Sequence, residues 1–228
     1  MATIKATAIT TKDMDSKRIT PTSPKDALRL RQYSRGLARP ALGRLAVCFA
    51  VGAVIGTALD GIHVYGDVLE YPHRAFGRWA AFVPLEFGLV ATATALLAPT
   101  LERLSGGPPD WSPLQRLAEL ALIAALYWLT TIVDGAASVA LAVALLALAA
   151  IRAASGHGDW PYVALAAVLG PAGEALISAA GAFSYLDPDI AGIPLWLPGL
   201  WANGGFAIRR LLVPIAIAPA ERSLKPAR

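Results

Sequence analysis

The chain has 228 residues, of which 56% are hydrophobic and only 16% charged, and its mean hydropathy is +0.53. Soluble domains carry charge on about a quarter of their residues, so this composition predicts an integral membrane protein. The single Cys48 excludes a scaffold held by internal disulfides. The net charge of +4 is concentrated in a short tail and at helix ends, which argues against nucleic-acid binding.

Residues 1–41 form a polar, basic segment that we expect to be disordered and cytoplasmic. The first apolar run begins only after Arg44, so no cleaved signal peptide is expected and the tail should stay on the protein. Its basic residues are best interpreted as a topological signal. Contact with anionic lipid headgroups is the alternative.

Six apolar stretches are long enough to cross a hydrocarbon core of about 30 Å, which takes roughly 20 helical residues. They lie at 42–62, 77–98, 113–133, 135–154, 160–183 and 195–217. The connection at Asp134-Gly135 is so short that the third and fourth helices should form an antiparallel hairpin. The predicted fold is all-α, a compact bundle of six transmembrane helices over 42–217, followed by a cytoplasmic tail at 218–228.

Lysine and arginine placement predicts that both termini face the cytoplasm. Eighteen basic residues fall on that side, and only Arg74 and Arg78 fall on the other. The 46 alanines suggest a GC-rich bacterial genome, so the expected location is a bacterial inner membrane.

Two carboxylates fall well inside predicted spans, Glu86 and Glu174, whereas Asp60, Glu119 and Asp134 sit nearer helix ends. Acids at membrane depth are costly and usually face protein or water. Desolvation favours the neutral form, which can donate a hydrogen bond to a ligand hydroxyl or carbonyl. A structural hydrogen bond to neighbouring groups and a proton relay are the alternatives.

Three prolines, Pro84, Pro171 and Pro198, are predicted to lie inside the second, fifth and sixth spans. An internal proline frees a carbonyl and tends to kink the helix. Pro84 lies two residues from Glu86, and Pro171 lies three from Glu174. A kink beside a buried acid predicts a polar-lined cavity between helices, with chance co-location as the alternative.

No catalytic or metal-binding constellation appears in the sequence. The three histidines, His63, His73 and His157, lie in or beside loops and do not cluster with carboxylates at metal-ligand spacing. Neither a phosphate-binding loop nor a serine nucleophile elbow is visible. We therefore predict no enzyme activity, no metal and no cofactor.

The run from Gly181 to Gly205 resembles the Insig family, endoplasmic-reticulum proteins that bind oxysterols and retain Scap. In that family a Tyr, a Pro-Asp pair, Trp-Leu-Pro and Gly-Gly follow at the spacing found here in Tyr185, Pro188-Asp189, Trp196-Leu-Pro198 and Gly204-Gly205. Two shorter segments, Val83-Pro84 with Gly88 and Val133-Asp134, are similar to family segments as well. The resemblance covers roughly residues 45 to 217.

The resemblance implies a non-enzymatic protein whose cavity admits an amphipathic lipid, either sterol-like or diacylglycerol-like. The expected ligand-binding residues lie at the polar or broken places and in the matched segments: Pro84, Glu86, Asp134, Glu174, Ser178, Trp196, Asn203, Gly204 and Gly205. Ile151 replaces the acid that engages Scap in the family, so a Scap-type partner is not expected. Small-residue faces such as Gly52 with Gly56 permit a homo-oligomer, and equally well the internal packing of one six-helix unit.

Two other classes of function stay open at this point. Buried carboxylates and broken helices also suit a small-solute or proton-coupled transporter. An intramembrane enzyme that modifies an isoprenoid or lipid is the second alternative, with Glu86 or Glu174 protonating an alkene.

Overall fold

The structure is a computed structural model that describes residues 40–108, 110–133, 137–155 and 158–217. These residues belong to one compact unit, Ala38–Arg228. The predictions made for the basic tail, for Asp134, for His157 and for the carboxyl-terminal tail fall outside the described residues.

Six helices and one short pair of strands make up the described part of the chain. In order, they are α1 (Leu42–Tyr65), β1 (Leu69–Glu70), α2 (Val83–Ser105), α3 (Pro113–Thr131), α4 (Ser138–Ala154), α5 (Trp160–Ala179), β2 (Ser184–Tyr185) and α6 (Leu197–Ala216). The predicted helical fold is thus confirmed. Three helices, α1, α2 and α5, have the length and hydropathy needed to cross a membrane, and the count of six crossings stays a prediction.

Two of the three prolines predicted to be internal lie at helix starts instead. Pro84 and Pro198 occupy the first turns of α2 and α6, where the proline has no intrahelical hydrogen bond to break. The prediction of kinks at these positions was wrong, because the apolar residues before Val83 belong to a connection and not to the helix. Pro171 does lie inside α5.

A two-stranded ladder departs from the all-α prediction. β1 pairs antiparallel with β2, with Leu69 opposite Tyr185 and Glu70 opposite Ser184. After α5, Gly181 adopts a φ of 78°, a left-handed conformation that favours glycine and turns the chain toward β1. We call this end of the bundle the ladder end. The opposite end, where α1 begins, is called the amino end.

The core centres on α6, which packs against all five other helices. Most of its residues are buried. Close approach to α5 depends on Gly205, because a Cβ built there would lie 2.7 Å from the Tyr162 carbonyl oxygen and 2.9 Å from Val163 Cα. Gly205, predicted to bind the ligand, thus serves close packing between α5 and α6.

Candidate functional site

A polar cavity of about 20 Å³ lies at the ladder end. Three carboxyl groups line it, one each from α1, α2 and α5: Asp60, Glu86 and Glu174. The rest of the lining is mainly aromatic, with Tyr71, Tyr127, Phe183 and Tyr185 beside His63, Leu69 and Phe87. The structure thus brings Glu86 and Glu174 to one cavity between helices, although one of the two predicted kinks is missing.

Glu174 is the most fully hydrogen-bonded acid of this cavity. The Tyr185 hydroxyl donates to Oε2, and the indole Nε1 of Trp201 donates to Oε1 at 2.5 Å. Burial and the adjacent Glu174 raise the pKa of Tyr185 well above its ordinary value. The phenol therefore stays protonated and serves as a donor over the whole physiological range.

Asp60 is the acid that the sequence prediction undervalued. It is 6% exposed, and Oδ1 accepts a hydrogen bond of 3.0 Å from the Tyr71 hydroxyl. Burial and the nearby Asp60 raise the pKa of Tyr71. A usable signal existed in the sequence, because Asp60 and His63 stand three residues apart on one face of a mostly apolar helix.

His63 closes the polar cavity toward α3 and α6. Its Nε2 lies 2.7 Å from the Thr130 Oγ1, and its ring stacks on Tyr127 with centroids 4.6 Å apart. Trp196 packs edge-on against the same imidazole and against Tyr185. Trp196, predicted to contact the ligand, thus supports the residues of the cavity wall.

An apolar cavity of about 90 Å³ adjoins the polar one and lies between α1, α2, α3 and α6. Phe87 and Tyr127 line both cavities, so the two lie next to each other. Trp201 lines the apolar cavity, while its indole nitrogen bonds to Glu174 of the polar cavity. Taken together, the two cavities are amphipathic, because acids line one of them and apolar side chains line the other.

Comparison with known proteins agrees with this architecture, although no protein-family model matches the chain. The chain is 26% identical over 189 residues to the insulin-induced gene 1 protein of Danio rerio, across 77% of this chain and 73% of that protein. It is 25% identical over 194 residues to the Homo sapiens protein, across 79% and 68%. The structure of MvINS, a mycobacterial Insig homologue from Mycobacterium vanbaalenii, matches with a TM-score of 0.58 at 26% identity, covering 80% of this chain and 100% of MvINS.

This chain is an Insig homologue. The resemblance predicted from the run between Gly181 and Gly205 is thereby confirmed. MvINS has also been solved as a cross-linked trimer.

The ligand-binding residues predicted for this Insig homologue are distributed unevenly around the cavities. Glu86 and Glu174 line the polar cavity, and Gly204 lines the apolar one. Pro84 begins α2 next to the cavity-lining residues of its first turn. Ser178 lies against the α5–α6 connection, where a Cβ on Gly192 would come within 3.3 Å of its Oγ.

Asn203 serves packing between helices. Its side chain is fully buried, and Nδ2 donates to the carbonyl oxygens of Leu145 and Gly199 at 2.9 Å each. Oδ1 accepts from Arg152 at 2.9 Å. The amide thus holds α4 against α6, and it lines neither of the two cavities.

An ion-pair network occupies the amino end of this Insig homologue. Arg209 is fully buried, donates to Glu102 from Nε at 2.8 Å and from Nη2 at 2.9 Å, and pairs with Asp159 at 2.8 Å. Arg152 and Arg210 both pair with Glu119. In the sequence these arginines indicate only topology, and their acidic partners become visible only in the structure.

Proposed function

We propose that this Insig homologue binds one amphipathic lipid across the two adjacent cavities, with a body of sterol or diacylglycerol type. The observation that carries the proposal is the shared lining by Phe87 and Tyr127, which places three acids next to an apolar space. The polar head of the lipid would occupy the ladder end, and its hydrocarbon would run between α1, α2, α3 and α6.

Size and polarity restrict the head group. A space of about 20 Å³ accommodates roughly one water-sized group, which fits a single small hydrogen-bonding head. The apolar cavity is lined almost entirely by carbon, and a Cβ at Gly204 would meet no atom within 4 Å, so the missing side chain leaves space there. These features support an amphipathic ligand over a polar solute.

The proposed role is binding without chemistry, as a membrane regulator and not as an enzyme or transporter. We place the protein in a bacterial inner membrane with both termini in the cytoplasm, so that the ladder end faces outward. A homo-oligomer, such as the trimer seen for MvINS, accompanies this proposal, whereas a Scap-type partner does not.

The decisive experiment is mass spectrometry of an organic extract from protein purified in detergent. We expect one lipid species to be enriched near one molecule per chain, to remain chemically unchanged on incubation, and to raise the melting temperature when added back. Absence of any enriched lipid, together with no stabilisation by any sterol or glycerolipid, would sink the proposal. Chemical turnover of the lipid would favour the alternative of an intramembrane enzyme. Solute flux driven by pH in liposomes would favour the alternative of a transporter.

Replacement of Glu174 separates binding from stability. Glu174→Gln keeps the size of the side chain, whereas Glu174→Leu leaves the Tyr185 hydroxyl and Trp201 indole without an acceptor, at about 1–3 kcal/mol. We expect both variants to lose bound lipid and only the leucine variant to melt clearly earlier. Full lipid retention in Glu174→Gln would show that Glu174 is structural.

A further inference from the structure

We propose that Trp201 is a gate through which the hydrocarbon of the lipid enters the apolar cavity sideways from the bilayer, between α2 and α5. This inference rests on the proposed lipid-binding function and adds the route by which the ligand reaches its site. Four observations carry it: a second apolar space beside the cavity, the small size of the cavity, the contacts that hold the Trp201 indole, and a weak point in α5 beside that indole.

A second apolar space of about 170 Å³, which we call the lateral groove, lies between α2, α5 and α6. It shares three lining residues with the apolar cavity, Val90, Trp201 and Ile208, so the two spaces lie next to each other at these side chains. Leu97 of α2 and Leu169 of α5 also line the groove and are 43% and 57% exposed. Both helices are long and apolar enough to cross a membrane, so the exposed side of the groove would face lipid hydrocarbon.

The apolar cavity is too small to enclose the body of a lipid. Its volume is about 90 Å³, whereas a cavity of roughly 150 Å³ binds one benzene molecule. A sterol or an acyl chain is several times larger than benzene, so bound hydrocarbon must extend beyond this cavity. The lateral groove offers an adjoining apolar space, and Val90, Trp201 and Ile208 stand where the hydrocarbon would pass.

Trp201 is held in this position by two contacts that join α6 to α5. Its indole Nε1 donates to Glu174 Oε1 at 2.5 Å. Its ring lies against the backbone of α5, because a Cβ built on Gly170 would come within 2.1 Å of the Trp201 Cδ2. Since the cavity and the groove both adjoin the ring, the ring has room to rotate once the hydrogen bond breaks. The bond to Glu174 therefore acts as a latch that keeps the route closed.

The α5 helix has a weak point directly beside the Trp201 indole. Pro171 lies inside this helix and has no N–H to donate to the carbonyl one turn earlier. Gly170, which precedes it and contacts the indole, adds backbone freedom at the same place. Bending of α5 at this point would widen the lateral groove and draw Gly170 away from the ring, so that the groove and the gate open together.

The test measures how fast two tritiated probes, cholesterol and dioleoylglycerol, enter and leave purified, delipidated full-length protein in detergent. Uptake is followed by rapid gel filtration, and release by a chase with excess unlabelled probe. Trp201→Phe keeps an aromatic ring but removes the donor to Glu174, and Gly170→Ala pushes the indole away from α5. The matched controls are Trp128→Phe, at a tryptophan 58% exposed, and Gly173→Ala, whose added methyl group meets no atom within 4 Å. Neither control position lines the cavity or the groove.

A gate governs the rates of entry and exit and leaves the amount bound at saturation unchanged. We expect Trp201→Phe and Gly170→Ala to speed both uptake and release about tenfold, as for the loss of one strong hydrogen bond. Both controls should exchange the probe at the wild-type rate, and Trp201→Phe decides the question if Gly170→Ala does not fold.

Two results would overturn the gate and leave the lipid site standing. One is exchange at the wild-type rate in both gate variants. The other is loss of bound probe with an unchanged rate of uptake, which would make Trp201 part of the binding wall. If the wild type binds neither probe and no lipid co-purifies, the lipid site itself is wrong.

Discussion

The two ends of the bundle each contain three buried or half-buried carboxyl groups, but the side chains around these groups differ. At the amino end, Glu102, Glu119 and Asp159 meet three arginines in one connected network. At the ladder end, phenols donate hydrogen bonds to Asp60 and Glu174, and an indole donates to Glu174. Arginines thus neutralise the acids of the amino end, whereas the described residues that line the polar cavity include no lysine or arginine.

The contrast indicates a division of roles between the two ends of the bundle. A buried, hydrogen-bonded ion pair fixes the relative positions of helices, here α2, α5 and α6 through Arg209. A set of acids that lacks a counter-charge is instead characteristic of a place where something else binds. The following substitutions test this division, in order of decreasing expected effect.

The largest effect is expected at the amino end. Arg209→Met leaves Glu102 and Asp159 buried without their cation, which typically costs about 3–5 kcal/mol. A melting or denaturant titration in detergent measures the loss. The control is Arg78→Met, whose partner Asp67 is 69% exposed, so that about 0–1 kcal/mol is expected. Equal effects of the two substitutions would contradict the role assigned to the network.

Adjacent glycines in the middle of α6 probe the region between the two ends. Gly205→Ala forces a methyl group against the backbone of Tyr162 and Val163, with an expected cost of about 1–3 kcal/mol. Gly204→Ala meets no atom within 4 Å, but it narrows the apolar cavity. Melting temperature should fall only for Gly205→Ala, and lipid retention should fall for Gly204→Ala. A stable, lipid-loaded Gly205→Ala protein would refute the close packing described for this helix.

A modest change in stability is expected from Tyr185→Phe. The substitution keeps the ring and removes one donor to Glu174, a cost of about 0.5–1.5 kcal/mol. We expect lipid content, measured by mass spectrometry, to change more than melting temperature does. Tyr65→Phe alters an exposed tyrosine at the same end and should change neither. A large drop in stability with unchanged lipid content would instead show that Tyr185 has a structural role.

Local patterns in the sequence were sufficient for the helices and for part of the site. Apolar runs near the length of a membrane crossing predicted α1, α3, α4, α5 and α6 to within a few residues. Glu86 and Glu174 were each predicted to lie beside a polar-lined cavity between helices, but half of the reasoning was wrong. Pro84 starts α2 and produces no kink, so Glu86 reaches the cavity from the first turn of its helix.

Contacts between distant parts of the chain could not be predicted from such local patterns. Hydropathy and charge placement are local quantities, whereas Arg209 and Glu102 are 107 residues apart. Asp60 looked solvated because it lies near the end of α1. Its burial comes from connections that fold over it, including Tyr71 and Tyr185. Asn203 was assigned to the ligand by family likeness, and its bonds to Leu145 and Gly199 became visible only in three dimensions.

The β ladder has a consequence for how the protein is made. β1 follows the first helix and β2 precedes the last, so their pairing must wait until most of the chain has been synthesised. Until then Asp60 sits in an early hairpin without the wall that Tyr185 and Glu174 provide. We expect chains that stall before β2 to expose this acid within the lipid, which makes incompletely inserted protein chemically distinct from the finished product and recognisable to membrane quality control.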